Sequence, residues 1–462
     1  MTSTTQRLSQ LVLIGMAAAA FPLSTFVERG PGGEVARGLG SETQQPSSCN
    51  VHLDSAGRGV SNTISNGMQR WYGNGGVFMH CVGQQTSMRA DSAAWYQDLD
   101  RVDFIGRVHF LDPSVTLDAD RASYHLKAEE LDAFLHVQLL NRRTHSKLQG
   151  TNLIYKRAAP GIRDTSELLS RERPVVDYHS EKDTVGQEPY VIIGSVVFMK
   201  GDAAAWASGD VTINRSDFHA ASDSASLDLN AGVGHLVGHS HVLGKDSVYQ
   251  LSGRNIDYRL KDRKLTWAQA RGLAEAVSDE WHVTSDTMQF NFGGDRIQSG
   301  NAWGDSTRPK AVSVDQSVSA DSLVIDAPNQ ALKELRGIRR ARATSRDSSM
   351  IGDPNWMAGD TVTAHFDSTA QGKRYLAHLN ASGHAQAFYC VVSEKKTSPP
   401  GYNYSRGRDI AADLTPEGMQ AVYVSGGNVD GVYLEPVVAP PKKADSLTVV
   451  ARPDSLNIKK AC

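Results

Sequence analysis

From residue 102 onward the chain alternates apolar and polar positions with a period of two. Val102, Phe104, Val108 and Phe110 fall on one face of a run whose other face holds Asp103, Arg107 and His109. Further along, Leu131, Ala133, Leu135, Val137 and Leu139 alternate with Asp132, His136 and Gln138. Successive side chains of an extended strand point to opposite sides, so each run predicts a strand with one buried face and one wet face. Phe104, Val108, Phe110, Leu135, Val137 and Leu139 are thereby expected to point inward, with Asp103, Arg107 and His136 outward. Helix-period patterns are scarce and the chain holds 41 glycines. Many strands joined by turns follow, and the expected class is all-β.

The alternation belongs to a longer phrase that recurs. An acidic residue, a small or apolar one, an aromatic and a polar turn lead to a glycine or small residue that opens the next strand. Residues 89–110 and 117–139 carry it most clearly. Weaker echoes pair Asp223 with Gly238, Asn255 with Ala270, Asp286 with Gly300, Asp321 with Gly337, and Asp409 with Gly426 or Gly427. The anchors stand at 91, 120, 223, 255, 286 and 321, so neighbours in each unbroken run lie about 30 residues apart. A period of that size predicts an elongated stack of repeating rungs.

Breaks in the phrase divide the chain. Residues 1–29 contain Arg7, then an uncharged stretch from Leu11 to Val27, and read as a secretory signal or a membrane anchor. Residues 30–81, rich in Gly, Ser, Gln and Asn, read as a flexible leader. A first block spans 82–157, and a proline-bearing charged linker or insertion spans 158–189. A second block covers 190–346 and a looser third covers 357–436. The tail 437–462 is expected to be disordered.

Charge and cysteine content narrow the partners. Lys and Arg number 48 against 51 Asp and Glu, a net charge of −3, which argues against a nucleic-acid binder. The four cysteines, Cys49, Cys81, Cys390 and Cys462, form no Cys-x-x-Cys pair and allow three disulfide connectivities. Cys49–Cys81 is the favoured pair, since it would staple the leader to the first rung.

Candidate chemistry is thin. His235, His239 and His241 share a parity and would project from one side of a strand, as three zinc ligands can. No carboxylate stands nearby as a general base, and a wet strand face is the plainer account, so no metal is expected. Nucleophile-elbow, P-loop and dinucleotide motifs are missing. The recurring Asp residues could suggest a glycosidase, but they are spread one per rung, as structural turn residues would be. No cofactor and no enzyme activity are expected. Arg336, Arg339, Arg340 and Arg342 form the densest basic run, a candidate site for headgroup phosphates or simply a solvated face.

The phrase Ala-Asp-x-Ala-x-Tyr, a polar turn, then Gly-x-Val-x-Phe resembles the OstA-like domain of lipopolysaccharide transport proteins. Residues 89–110 and 117–139 carry the resemblance, with looser matches over 190–346 and 357–436. It implies a half-open jelly-roll solenoid of antiparallel rungs whose apolar groove shields acyl chains. The groove is expected to take Phe104, Val108, Phe110, Leu135, Val137 and Leu139. It further implies a periplasmic bridge that carries lipopolysaccharide or a related glycolipid, joined to other bridge proteins or to copies of itself through edge strands. A non-conducting envelope scaffold and a carbohydrate-active solenoid enzyme are the alternatives.

Overall fold

The computed structural model describes residues 48–435 except 66–67, 181–182, 184–185, 246–248, 295, 346–354 and 392–400. The readings for 1–29 and for the tail 437–462 therefore lie outside the described residues. Among the described residues the fold is all-β, with antiparallel strands and only single 3-10 turns at Gln97–Leu99 and Pro328–Gln330. No helix of these residues is long and apolar enough to cross a membrane.

Most strands pair antiparallel with the next in sequence, and those from Val51–Ala56 to Asp430–Leu434 belong to one sheet. Most long strands are interrupted near the middle by a register shift. Between the strands Arg101–Leu111 and Val115–His125, Ile105 pairs with Arg121 and Val108 with Ala119, leaving Gly106 and Arg107 unpaired. In each, two residues of one strand stand against a single residue of its neighbour, here Gly106 and Arg107 against Asp120, and such β-bulges bend strands. Stacked in register, they crease the sheet into two arms. Val102, Phe104, Ala122 and Tyr124 lie in the first arm, and Val108, Phe110 and Leu117 in the second.

The crease has a backbone signature. At eight strands two successive residues take left-handed φ: Gly75–Gly76, Gly106–Arg107, Leu135–His136, Gly209–Asp210, Gly238–His239, Gly272–Leu273, Arg339–Arg340 and Gly383–His384. Only glycine adopts this region without a Cβ penalty, which explains six of the eight first positions. The recurring Asp covers the bend from the preceding strand: a Cβ on Gly106 would sit 2.4 Å from Oδ2 of Asp91, and one on Gly238 would sit 2.1 Å from Oδ2 of Asp223. The acid-then-glycine phrase is therefore a device for bending strands. Gly300 and Gly337, matched to the phrase in the sequence, lie instead within the first arm, against Phe290 and Ala320. Ala270 is likewise a first-arm residue, paired with Ile256 and Met288.

The two arms face each other. Phe110 of the second arm meets Tyr124 of the first at 5.8 Å between ring centroids, and Phe218 meets Tyr258 at 6.1 Å. One buried apolar cluster runs between them from Cys49 to Ala412. Phe104, Val108, Phe110, Val137 and Leu139 all point into it, none more than 6% exposed.

Leu135 does not. It is 48% exposed with φ 65°, one of the crease pair. Leu135 and His136, both left-handed, stand against Thr151 alone, so Ala133 and Val137 both face inward while Leu135 between them is turned outward.

Two further expectations are corrected. Residues 51–81 form the strands Val51–Ala56, Val60–Ser65 and Met68–Cys81 rather than a leader, with Val77, Met79 and Cys81 buried. Cys49 and Cys81 form a disulfide there. Within 158–189, Glu167–Arg171 and Val175–Tyr178 are the two halves of a bent strand that continues the stack.

The expected open section is not kept throughout. Where neighbouring bent strands are split into separate halves, pairing closes into a ring of six. One ring joins Lys147–Lys156, Glu167–Arg171, Val196–Lys200, Ala204–Arg215, Tyr190–Ile193 and Val175–Tyr178. A second joins His282–Gly293, Arg296–Trp303, Ser322–Asp326, Glu334–Ser345, Gln316–Ser319 and Lys310–Val312.

Candidate functional site

The free ends of the two arms form a long mouth opposite the crease. What happens there is set by the turns at the strand ends. Near the N-terminal end the mouth is shut by a buried polar clasp. Asp112, in a turn of the second arm, accepts hydrogen bonds from the Ser114 and Val115 amides at 2.6 and 2.7 Å and from the Tyr155 hydroxyl of the first arm at 3.0 Å. Glu129 accepts a hydrogen bond from Tyr124 and pairs with Arg157 at 3.0 Å. Arg157 then crosses to the second arm, donating to Thr86 and Gln84 at 2.6 Å each.

Burial governs the electrostatics of this clasp. Asp112 and Glu129 are fully buried. Desolvation pushes the Asp112 carboxyl above its ordinary range, opposed by the two backbone amides, Tyr155 and Arg157. The Tyr124 and Tyr155 hydroxyls are pushed up by burial first and by their carboxylate neighbours second. Buried polar groups must find partners, so this network is expected to be rigid.

Further clasps follow along the mouth. Asn141 and Arg143 of the second arm hold Asp202 of the first, and Tyr178 donates to its carbonyl. Arg215 and Tyr190 both donate to the Arg263 carbonyl, at 3.0 and 3.1 Å, while Arg263 pairs with Asp183 at 2.9 Å. The last of the series is Arg374 with Glu280 at 3.0 Å.

Beyond that last clasp the arms part. A cavity of about 480 Å³ opens between them, with Val318, Met357, Phe366, Leu379, Tyr389 and Leu414 among its apolar walls and Asp315, Lys373, Arg374 and Glu417 on its rim. Its volume falls within the roughly 300–1,000 Å³ of small-molecule sites. Inward alanines contribute to this space: Ala343, Ala364, Ala387 and Ala412 all lie in its lining. A smaller cavity of about 60 Å³, lined by Val283, Phe290, Ile325 and Leu335, lies on the other side of the Arg374–Glu280 clasp.

The residues singled out in the sequence fall elsewhere. Phe104, Val108, Phe110, Val137 and Leu139 share one wall system but are packed, and Leu135 is outside it. The basic run is dispersed over the outer surface. Arg336 pairs with Glu334, Arg340 holds Asp321 across the crease at 2.8 Å, and Arg342 lies 4.2 Å over the Trp356 ring. Arg339 is a crease residue with φ 64°. His235 and His239 bond to different carboxylates, Asp257 at 2.7 Å and Asp223 at 3.0 Å, while His241 faces the His219 ring. These three histidines do not converge. The cavity walls were missed because alanine reads as neutral filler. The available signal was the run of alanines at the inward parity from 364 to 412.

No family model matches the chain, and a search of curated proteins finds no relative.

Proposed function

We infer that the protein binds acyl chains between the two arms of its sheet and acts as a lipid-carrying bridge of the envelope, with lipopolysaccharide or a related glycolipid as cargo. The observation that carries this reading is the cavity beyond the Arg374–Glu280 clasp, where apolar walls such as Val318, Met357, Phe366 and Leu379 stand beside polar and charged residues. Apolar surface facing such a space is costly in water and is stabilised by a hydrocarbon chain. In this reading the rungs form a jelly-roll stack that is half-open at its C-terminal end. The Cys49–Cys81 disulfide is in keeping with a periplasmic setting. No catalytic chemistry is assigned to it: the crease carboxylates Asp91, Asp120, Asp223, Asp321 and Asp360 are each engaged by a cationic or imidazole side chain.

Both ends of the stack support end-to-end partners. The strands Val60–Ser65 and Asp430–Leu434 are outermost, and Ile64, Val432, Tyr433 and Leu434 are half or more exposed. Unpaired edges of this kind accept a further strand.

A second reading, a scaffold that carries no lipid, is favoured by the N-terminal clasp, which seals a filled core. Titration with a fluorescent lipopolysaccharide conjugate separates the two. The lipid reading expects saturable binding, displaced by unlabelled lipopolysaccharide but not by its deacylated saccharide. Absence of binding, or equal displacement by the saccharide, favours the scaffold.

A further inference from the structure

The two C-terminal cavities are divided by a single thin partition. Trp281, which lines the smaller cavity, meets Phe366, which lines the larger, edge to face at 5.7 Å between ring centroids. Beside them stands the Arg374–Glu280 pair at 3.0 Å, with Arg374 also donating to the Leu332 carbonyl. Trp281 and Glu280 belong to the turn ending the second arm, and Phe366 and Arg374 to the first. Side chains from both arms thus meet in the partition.

It is also weakly held. The Glu280 carboxylate is 44% exposed, and an ion pair so open to water contributes little, typically under about 1 kcal/mol. Trp281 and Phe366 are only partly buried. The N-terminal clasp, by contrast, sets two fully buried carboxylates in a network of hydrogen bonds. One closure is built to stay shut, and the other can yield to a ligand.

We propose that Trp281 and Phe366 set the length of apolar chain this protein accepts. A short chain fills the larger cavity and stops at the Trp281 ring. A longer one must turn that ring aside to reach the smaller cavity, whose walls include the apolar side chains of Val283, Phe290, Ile325 and Leu335. The occupant is a straight hydrocarbon chain with an anionic head, the head lying at the rim near Lys373. This rests on the acyl-binding reading above.

Displacement of anilinonaphthalene sulfonate from the full-length chain by octanoate, laurate and palmitate tests it. Each newly buried methylene strengthens binding roughly fourfold. In the native chain the gain is expected to level off before palmitate. In Trp281→Ala it should continue, tightening palmitate by about tenfold or more while octanoate stays unchanged. Trp281→Leu and Phe366→Leu, which keep an apolar side chain, should shift the limit part of the way. Palmitate-to-octanoate ratios identical in the native chain and in every folded variant would overturn the length limit and leave the acyl-binding reading standing. Failure of all three acids to displace the probe from the native chain would overturn both.

Discussion

Arg107 reaches across the crease and grips Asp91, its Nη2 lying 2.6 Å and its Nε 2.9 Å from the same carboxylate oxygen. The contact explains why acid and glycine recur together. The Arg107 hydrogen bond holds the Asp91 carboxyl below the usual carboxylate range. Asp91 in turn lies against Gly106, whose φ of 80° makes the bend. Equivalent pairs join His136 to Asp120, His239 to Asp223, Arg340 to Asp321 and His384 to Asp360.

Gly106→Ala and Leu135→Gly should therefore move stability in opposite directions. The alanine Cβ would meet Asp91 at 2.4 Å in a left-handed backbone, with an expected loss of about 1–3 kcal/mol. Leu135 already occupies such a backbone while half exposed, so glycine should stabilise by a few tenths to about 1 kcal/mol. Urea unfolding of the two variants checks both signs.

Asp112→Asn should alter the pH dependence of stability. Burial raises the Asp112 carboxyl in the folded chain above its unfolded value of about 3.9. A raised group favours the protonated folded state, so its stabilisation is complete below the unfolded pKa and fades as pH rises through the folded one. Asparagine keeps an oxygen for the Ser114 and Val115 amides and removes this titration. The stability of the variant relative to the native chain should rise from about pH 4 upward and then flatten. A pH-independent difference in melting would show that Asp112 does not titrate in this way.

Val137→Asp and Gln138→Asp test the faces of the arms. Val137 is 1% exposed, and an unpaired carboxylate there should cost about 3–5 kcal/mol. Gln138, one residue along, is exposed, and its replacement should lie within about 0.5 kcal/mol of neutral. Thermal melts of the two proteins decide it.

The strand class and most of the inward face were legible in the sequence because alternation is a local property. Val108, Phe110, Val137 and Leu139 needed only their parity. Leu135 shared that parity and yet points out, since what removes it from the core is a pair of left-handed residues, and only glycine announces that conformation in a sequence. At Arg339–Arg340 the same absence of glycine hid the bend and made four arginines look like one basic site. Residues 51–81 resembled a leader because Gly75 and Gly76, which form their crease, read as flexibility. The cavity was beyond local pattern altogether. It depends on alanines from several strands facing one another across the two arms, and no single strand records what lies opposite.

The central claim, that acyl chains lie between the arms, is tested most directly by photo-crosslinking at two adjacent residues. Leu379 lines the cavity, and His378 points outward to Asp413 at 2.8 Å. With a photoreactive residue at each position and lipopolysaccharide present, the account predicts a lipid adduct at 379 and none at 378. Adducts at both positions, or at neither, would contradict it.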